Sequence, residues 1–463
     1  MGTSLMFARR YLGWVEIAAC VILFEAVLSG SANAATQVDR KAGSCSYEDV
    51  SSAVNTAESG DTVIVPAGSA TWNKCLTITK GITLQGAGIG QTVIISSIAE
   101  REGSLIRYAP ASPSLNEPFR ITGFTLDANN ISHGIILANY TTIIINKIRV
   151  DHNRILKAGS RRPGEGKWRC IAVYGTVYGV IDNNVIDSTN GKAIDSGGME
   201  GKSWAELTRN FGDENNIYYE DNTFISNDTF SSCGNGGRYV SRYNNYFGSQ
   251  SNFFPILDAH GNQLKGIYGT MMVEIYGNNI DLGPQAGCFL DHRGGQALVF
   301  FNKIKAGRPV TSKVRDEYDD ATHPAPNPFL QHVTNSYYWN NRSNSLLISP
   351  YIVKHIPNKD VNYDGVQLAE DVDFWVHKVD FGGTKGMGCG SLENRPGTCV
   401  PGTAYWATEQ PCAEVSDDNI GAHPRKPISG TLYKCTAPNV WSTYYTPYTY
   451  PHPLRGEKSV LSK

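Results

Sequence analysis

The sequence predicts an all-β solenoid, built of short strand–turn–strand coils stacked on one another. Three observations predict it. Short apolar runs alternate with Asn and Gly through most of the 463 residues, and Gly (47) and Tyr (24) are abundant, as in a turn-dense β protein. One signature recurs along the centre: alternating apolar residues, then Asn, then an apolar residue. A longer unit is also written twice. Tyr243-Asn244-Asn245 returns as Tyr276-Gly277-Asn278, and Ile256-Leu257-Asp258-Ala259-His260-Gly261 returns as Phe289-Leu290-Asp291-His292-Arg293-Gly294, both after 33 residues. A fixed shift carried across two motifs marks stacked repeats. The implied layout is 1–34 as a signal peptide, 35–350 as the solenoid and 351–463 as a Cys- and aromatic-rich extension or cap.

Residues 1–34 read as a targeting segment. Arg9-Arg10 give a positive end, Ile17 to Leu28 a mostly apolar run, and Ala32-Asn33-Ala34 a small-residue cleavage site. The run falls short of the ~20 clean apolar residues of a membrane anchor. The expectation is a secreted, periplasmic or extracellular chain with no membrane association after cleavage. A monomer is expected. Charged residues make up 18% and net charge is -2, which gives no support for nucleic-acid binding.

Tyr47 to Ala57 has helical spacing, with Val50, Val54 and Ala57 on one face. A helix there covers the first open coil, since solenoids need capped ends. Asp61 to Val65, Leu76 to Ile78, Ile82 to Leu84 and Thr92 to Ile95 read as short strands separated by Gly turns. The Asn signature then appears at Asn153, Asn183-Asn184, Asn222, Asn244-Asn245, Asn278-Asn279, Asn302 and Asn340-Asn341. The 23 residues from Asn222 to Asn245 suit a bare coil of three strands. Asn tolerates the left-handed backbone of a sharp bend, and its amide can bond to its counterpart one coil away. These Asn residues are expected to be structural.

Gly60-Asp61-Thr62-Val63 running into Pro66-Ala67-Gly68, the Gly86-Ala87-Gly88 turn and the Asn-punctuated coils resemble the right-handed parallel β-helix proteins of the pectate-lyase-like superfamily. The resemblance covers about residues 45 to 345. It implies a right-handed parallel β-helix and a carbohydrate-active protein. That superfamily includes lyases, hydrolases, esterases and adhesins, and fold does not choose among them.

The doubled unit proposes where chemistry sits. In stacked coils Asp258 lies over Asp291 and His260 over Arg293, ~5 Å apart. A β-elimination lyase needs a base for the C5 proton of a uronic acid and a cation for the neighbouring carboxylate. His260 suits the first role and Arg293 the second, because its fork matches a carboxylate. Asp258 orients His260 or, with Asp291, forms a candidate calcium site through hard oxygens. Arg238, Trp204 and Lys202 are candidate sugar contacts. Two alternatives stand beside the lyase: a glycoside hydrolase using Asp258 and Asp291 as its carboxylate pair, and a non-catalytic glycan-binding adhesin. An ion pair bracing two coils is the structural reading of Asp258 and Arg293.

The tail departs from the repeat. Ala404 to Thr408 and Thr431 to Cys435 read as strands, and Trp441, Tyr444, Tyr445, Tyr448 and Tyr450 crowd its end. The aromatics are expected to fold back and seal the last coil. Spacing suggests Cys45–Cys75, Cys389–Cys399 and Cys412–Cys435 as disulfides, leaving an odd buried thiol among Cys170, Cys233 and Cys288.

Overall fold

The computed structural model describes residues 37–99, 103–110, 118–138, 144–159, 168–188, 191–197, 204, 207–226, 229–248, 256–261, 268–283, 287–317, 332–353 and 367–456. The targeting segment and Cys20 lie outside these residues. Three long sheets run the length of the fold, with 12, 10 and 11 strands. Neighbours within a sheet come from successive coils, and the pairing is parallel throughout except for the last pair, Arg342–Ser343 with Leu346–Leu347. Each coil contributes one strand to each sheet, so the fold is a parallel β-helix. One continuous apolar core fills it, from Val50 and Trp72 at one end to Phe374 and Val376 at the other. Strands of the stack continue to Phe374–Val376, beyond the boundary expected at residue 350. Among the described residues no helix is long and apolar enough to cross a membrane.

The expected helix spans Tyr47–Thr56. Ser46 caps it by accepting the Asp49 N–H at 3.2 Å, and Glu48 and Asp49 favour its positive N-terminus. Val50, Ala53 and Val54 plug the open end of the core.

An amide ladder marks the corner between the first and third sheets. The Oδ1 of Asn184 accepts both the N–H and the side-chain amide of Asn153, at 3.0 and 3.2 Å. The pattern repeats from Asn184 to Asn222, Asn222 to Asn244, Asn244 to Asn278, Asn278 to Asn302 and Asn302 to Asn341. Each buried amide thereby finds partners. One expectation is corrected here. The left-handed residue is the one before the ladder Asn: His152, Asn183, Asp221, Tyr243, Gly277, Phe301 and Asn340 all have φ between 50° and 65°. The ladder Asn supplies hydrogen bonds and its predecessor supplies the bend.

The extension lies along the outer face of the first sheet. Its own sheet comprises Met387–Gly390, Ala404–Ala407, Thr431–Ala437 and Val440–Tyr445. Trp406 packs on Phe300 and Trp339 at 5.4 and 5.3 Å. Beyond it Arg455 reaches buried Glu220 at 2.7 Å, and Arg242, bound to Glu220 by Nε at 2.8 Å, donates to the Tyr448 carbonyl. The aromatics thus cover the flank of several coils rather than the last one alone. The disulfides are Cys389–Cys412 and Cys399–Cys435. Sequence spacing suggested other partners, but sheet register decides. Cys45 and Cys75 are free, and Cys170, Cys233 and Cys288 are buried thiols.

Candidate functional site

The second sheet carries the candidate site on its outer face. Its strands pair Asp195 with Ser232, Ser232 with Asp258, Asp258 with Asp291 and Asp291 with Lys313. Side chains alternate along a strand, so this register lines them in one outward column. A neighbouring column runs Tyr174, Gly197, Gly234, continued by His260 and Arg293, whose backbones follow the same ladder. Two glycines between Tyr174 and His260 leave that column without side chains. The gap is the floor of a cleft of about 210 Å³. Arg169, Lys192, Asp195, Ser232, Asn235 and Tyr268 are among the residues that line it.

The stacking of Asp258 over Asp291 is therefore present, but their electrostatics differ from the expectation. Arg293 grips Asp258 through Nη2 at 2.9 and 2.8 Å and Nε at 3.2 Å, while its Nη1 meets Glu317 at 3.0 Å. Arg315 holds Asp291 at 2.8 and 3.2 Å. Burial alone raises the Asp258 carboxyl, but Arg293 and His260 beside it outweigh this and hold it well below the usual range. Two stacked aspartates would by repulsion raise one another; Arg293 removes that effect at Asp258. The two carboxylates named for calcium are already neutralised by these arginines, and the described residues contain no cluster of three or more His, Cys, Asp or Glu suited to a metal.

Arg293 is only 7% exposed, with its fork filled by Asp258 and Glu317. It braces adjacent coils and has no free edge for a substrate carboxylate. Arg169 and Lys192 are the cations that open onto the cleft. Both converge on Asp195, Arg169 by Nε at 2.6 Å and Lys192 at 3.7 Å. Lys192 also donates to the Ser232 hydroxyl at 3.0 Å. Burial raises Asp195, but Lys192 and Arg169 override it and push its carboxyl low.

His260 stands where the ion-pair cluster meets the cleft. Its side chain is 28% exposed, and Nε2 lies 2.7 Å from Asp258 Oδ2. The Arg293 guanidinium lies against the ring, in contact with Nδ1 and 2.7 Å from Nε2. A guanidinium only donates, so the ring nitrogen that receives it carries no proton.

Arg238 and Trp204 do not reach the cleft. Both are fully buried. Arg238 donates to the carbonyls of Thr208 and Trp204 at 2.9 and 2.8 Å and so pins the neighbouring segment. Lys202 lies outside the described residues. Arg315 and Glu317 turn inward onto Asp291 and Arg293.

No family model matches the chain, and no curated protein matches it. Solved structures that resemble it include the following three. One is an alginate lyase from Paenibacillus sp. str. FPU-7, at 14% identity and TM-score 0.37, covering 76% of this chain and 93% of that one. Another is ORF18 of Geobacillus virus E2, at 13% identity and TM-score 0.35, covering 86% and 73%. A third is the A-module of the Azotobacter vinelandii mannuronan C-5 epimerase AlgE4, at 14% identity and TM-score 0.31, covering 67% and 94%.

Proposed function

We propose that the chain is an exported lyase that cleaves a uronic-acid-containing polysaccharide by β-elimination at the cleft between Tyr174 and His260. One observation carries the reading: two cations, Arg169 and Lys192, share a glycine-floored cleft with a histidine held against a carboxylate. A uronate entering the cleft meets Arg169 and Lys192, which draw charge from its carboxylate and acidify the C5 proton. His260 takes that proton, the C4–O bond breaks, and a C4=C5 double bond remains. Proton abstraction requires the unprotonated ring nitrogen to turn from Arg293 toward the sugar. Asp258 then stabilises the imidazolium, and the proton it holds is available to the departing oxygen.

The hydrolase reading is weaker on the same geometry. A general acid needs a carboxyl whose pKa is raised, whereas Arg293 and His260 hold Asp258 down.

The deciding experiment is a panel of acidic and neutral polysaccharides. Elimination gives absorbance at about 235 nm, as expected when a proton α to a carboxylate is lost and a conjugated double bond forms. Reducing ends without that absorbance would establish hydrolysis. Binding without either signal would establish an adhesin.

A further inference from the structure

A separate cavity of about 400 Å³ opens where the extension meets the outer edge of the first sheet. Arg209 reaches it from the segment before Ile217–Glu220, and Lys434 reaches it from the extension's strand Thr431–Ala437. Each is more than half withdrawn from water, and burial lowers the pKa of both. Among the described residues neither forms an ion pair. Of the fully or nearly buried arginines, Arg149, Arg242, Arg293 and Arg455 are bound to carboxylates and Arg238 to backbone carbonyls. Lys434 is met by the amide oxygen of Asn335 and by the Tyr444 ring, 5.0 Å away. A half-buried charge without a counter-charge is costly, and two of them facing one cavity make a site for an anion.

We propose that Arg209 and Lys434 form a second binding site, taking the carboxylate of an acidic sugar. The fork of Arg209 matches a carboxylate, and Lys434 adds a point charge. Neutral amides of Gln296 and Asn210 line the same cavity and suit sugar hydroxyls. Tyr444 offers a ring to a sugar face. The site shares a ligand class with the proposed function but none of the cleft's residues, so a polymer can be held at a distance from the bond being cut.

The test is calorimetric titration of the full chain with tetrasaccharides of uronic acid and, separately, with neutral and sulfated tetrasaccharides. Turnover is not read. Lys192→Gln, in the cleft, should leave one binding event intact. Arg209→Gln and Lys434→Gln should each weaken that event about tenfold, the effect of losing a charged hydrogen bond, and together abolish it. Unchanged near-UV circular dichroism shows that the fold survives, and Lys434→Gln keeps a donor for Asn335. Three outcomes overturn the proposal: no uronate binding by the parent chain, binding by the double variant equal to the parent's, or equal binding of the neutral sugar. Tighter binding of the sulfated sugar overturns the carboxylate assignment. A chain that binds uronate here yet gives no absorbance at about 235 nm leaves this site standing and removes the lyase reading.

Discussion

His260 Nε2 lies 2.7 Å from Asp258 Oδ2, and Asp258 is in turn gripped by Arg293. The imidazole is thus held by a carboxylate that is itself fixed. His260→Ala should lower turnover by ~10²–10⁴ with little loss of thermal stability, the usual scale of a general acid–base contribution. Asp258→Asn should do something different. It leaves the buried Arg293 with Glu317 at Nη1 and the more distant Asp291, 3.8 Å from Nε, so stability should fall by about 3–5 kcal/mol, the scale for breaking a buried ion pair. Turnover and melting temperature measured on both variants separate the roles. A silent His260→Ala would make the cluster a brace and nothing more.

The glycine floor gives a second, independent handle. A Cβ built at Gly197 meets nothing nearer than Gly234 O at 3.8 Å, and its backbone is not left-handed. Gly197→Leu should therefore fold normally while filling the cleft. KM for polymer should rise at least about tenfold, as expected when about 1.4 kcal/mol of binding is lost, with the melting temperature unchanged. Normal kinetics would place the substrate elsewhere.

How much of this was legible follows from what repeats in the sequence. The coils were legible because each ends in the same chemistry, an Asn whose amide must reach its counterpart. The register was only partly legible. The second sheet does pair Asp258 with Asp291, 33 residues apart. The ladder, however, pairs Asn244 with Asn278, 34 apart, and Asn222 with Asn244, 22 apart. The segment from the ladder Asn to the Asp is one residue shorter in the second copy, so the Tyr243–Tyr276 match is accidental: Arg242 sits over Tyr276. The cleft was missed because its cations come from earlier coils joined by loops of unequal length. A signal was nonetheless there. Ile194-Asp195 is a third copy of the Leu-Asp at 257–258 and 290–291, and it stands in the same column. Partner choice by Arg293 was not legible, since Glu317 arrives from a later loop.

The ladder itself is testable. Asn222 Oδ1 accepts the N–H and the side-chain amide of Asn184, and its own amide donates to the Ile181 carbonyl at 2.8 Å. All of these atoms are buried. Asn222→Ala takes the acceptor from the Asn184 N–H and a donor from the Ile181 carbonyl, while the Asn184 amide keeps the carbonyls of Val150 and Asp182, and stability should drop by roughly 1–3 kcal/mol, the cost of an orphaned buried group. Denaturant unfolding measures it. Saccharide binding at the cleft should persist at temperatures where the variant is folded. A drop below ~0.5 kcal/mol would mean that backbone pairing alone holds the corner.

Buried carboxyls under the extension contribute to the pH dependence. Burial pushes Glu274 up to about 7, against the help of the Gly212 N–H at 2.7 Å and the Tyr445 hydroxyl at 2.8 Å. Burial likewise raises Asp182 to about 6, despite its pairing with Arg149. A carboxyl whose pKa is higher folded than unfolded binds its proton more tightly in the native state. Its contribution is fully present below the unfolded value, near 4.5 for Glu274, and is lost as pH rises through about 7. The carboxyls held low, Asp195 and Asp258, act in the opposite sense, but only in more acid solution. Burial holds His133, His292, His377 and His452 low, and they act in the opposite sense between about pH 4 and 6.5, so the Glu274 contribution is read as the gap in thermal stability between the parent and Glu274→Gln. Glu274→Gln mimics the protonated form, because its oxygen can still accept from Gly212 and its nitrogen can donate to the Tyr445 oxygen. That gap should widen as pH rises from about 5 to about 7, leaving the variant more stable than the parent at pH ~8 by on the order of 2–3 kcal/mol. Melting temperatures of both proteins across that range decide it. A slope unchanged by Glu274→Gln would show that this carboxyl is ionised in the folded chain throughout, with Arg242 as its compensating charge.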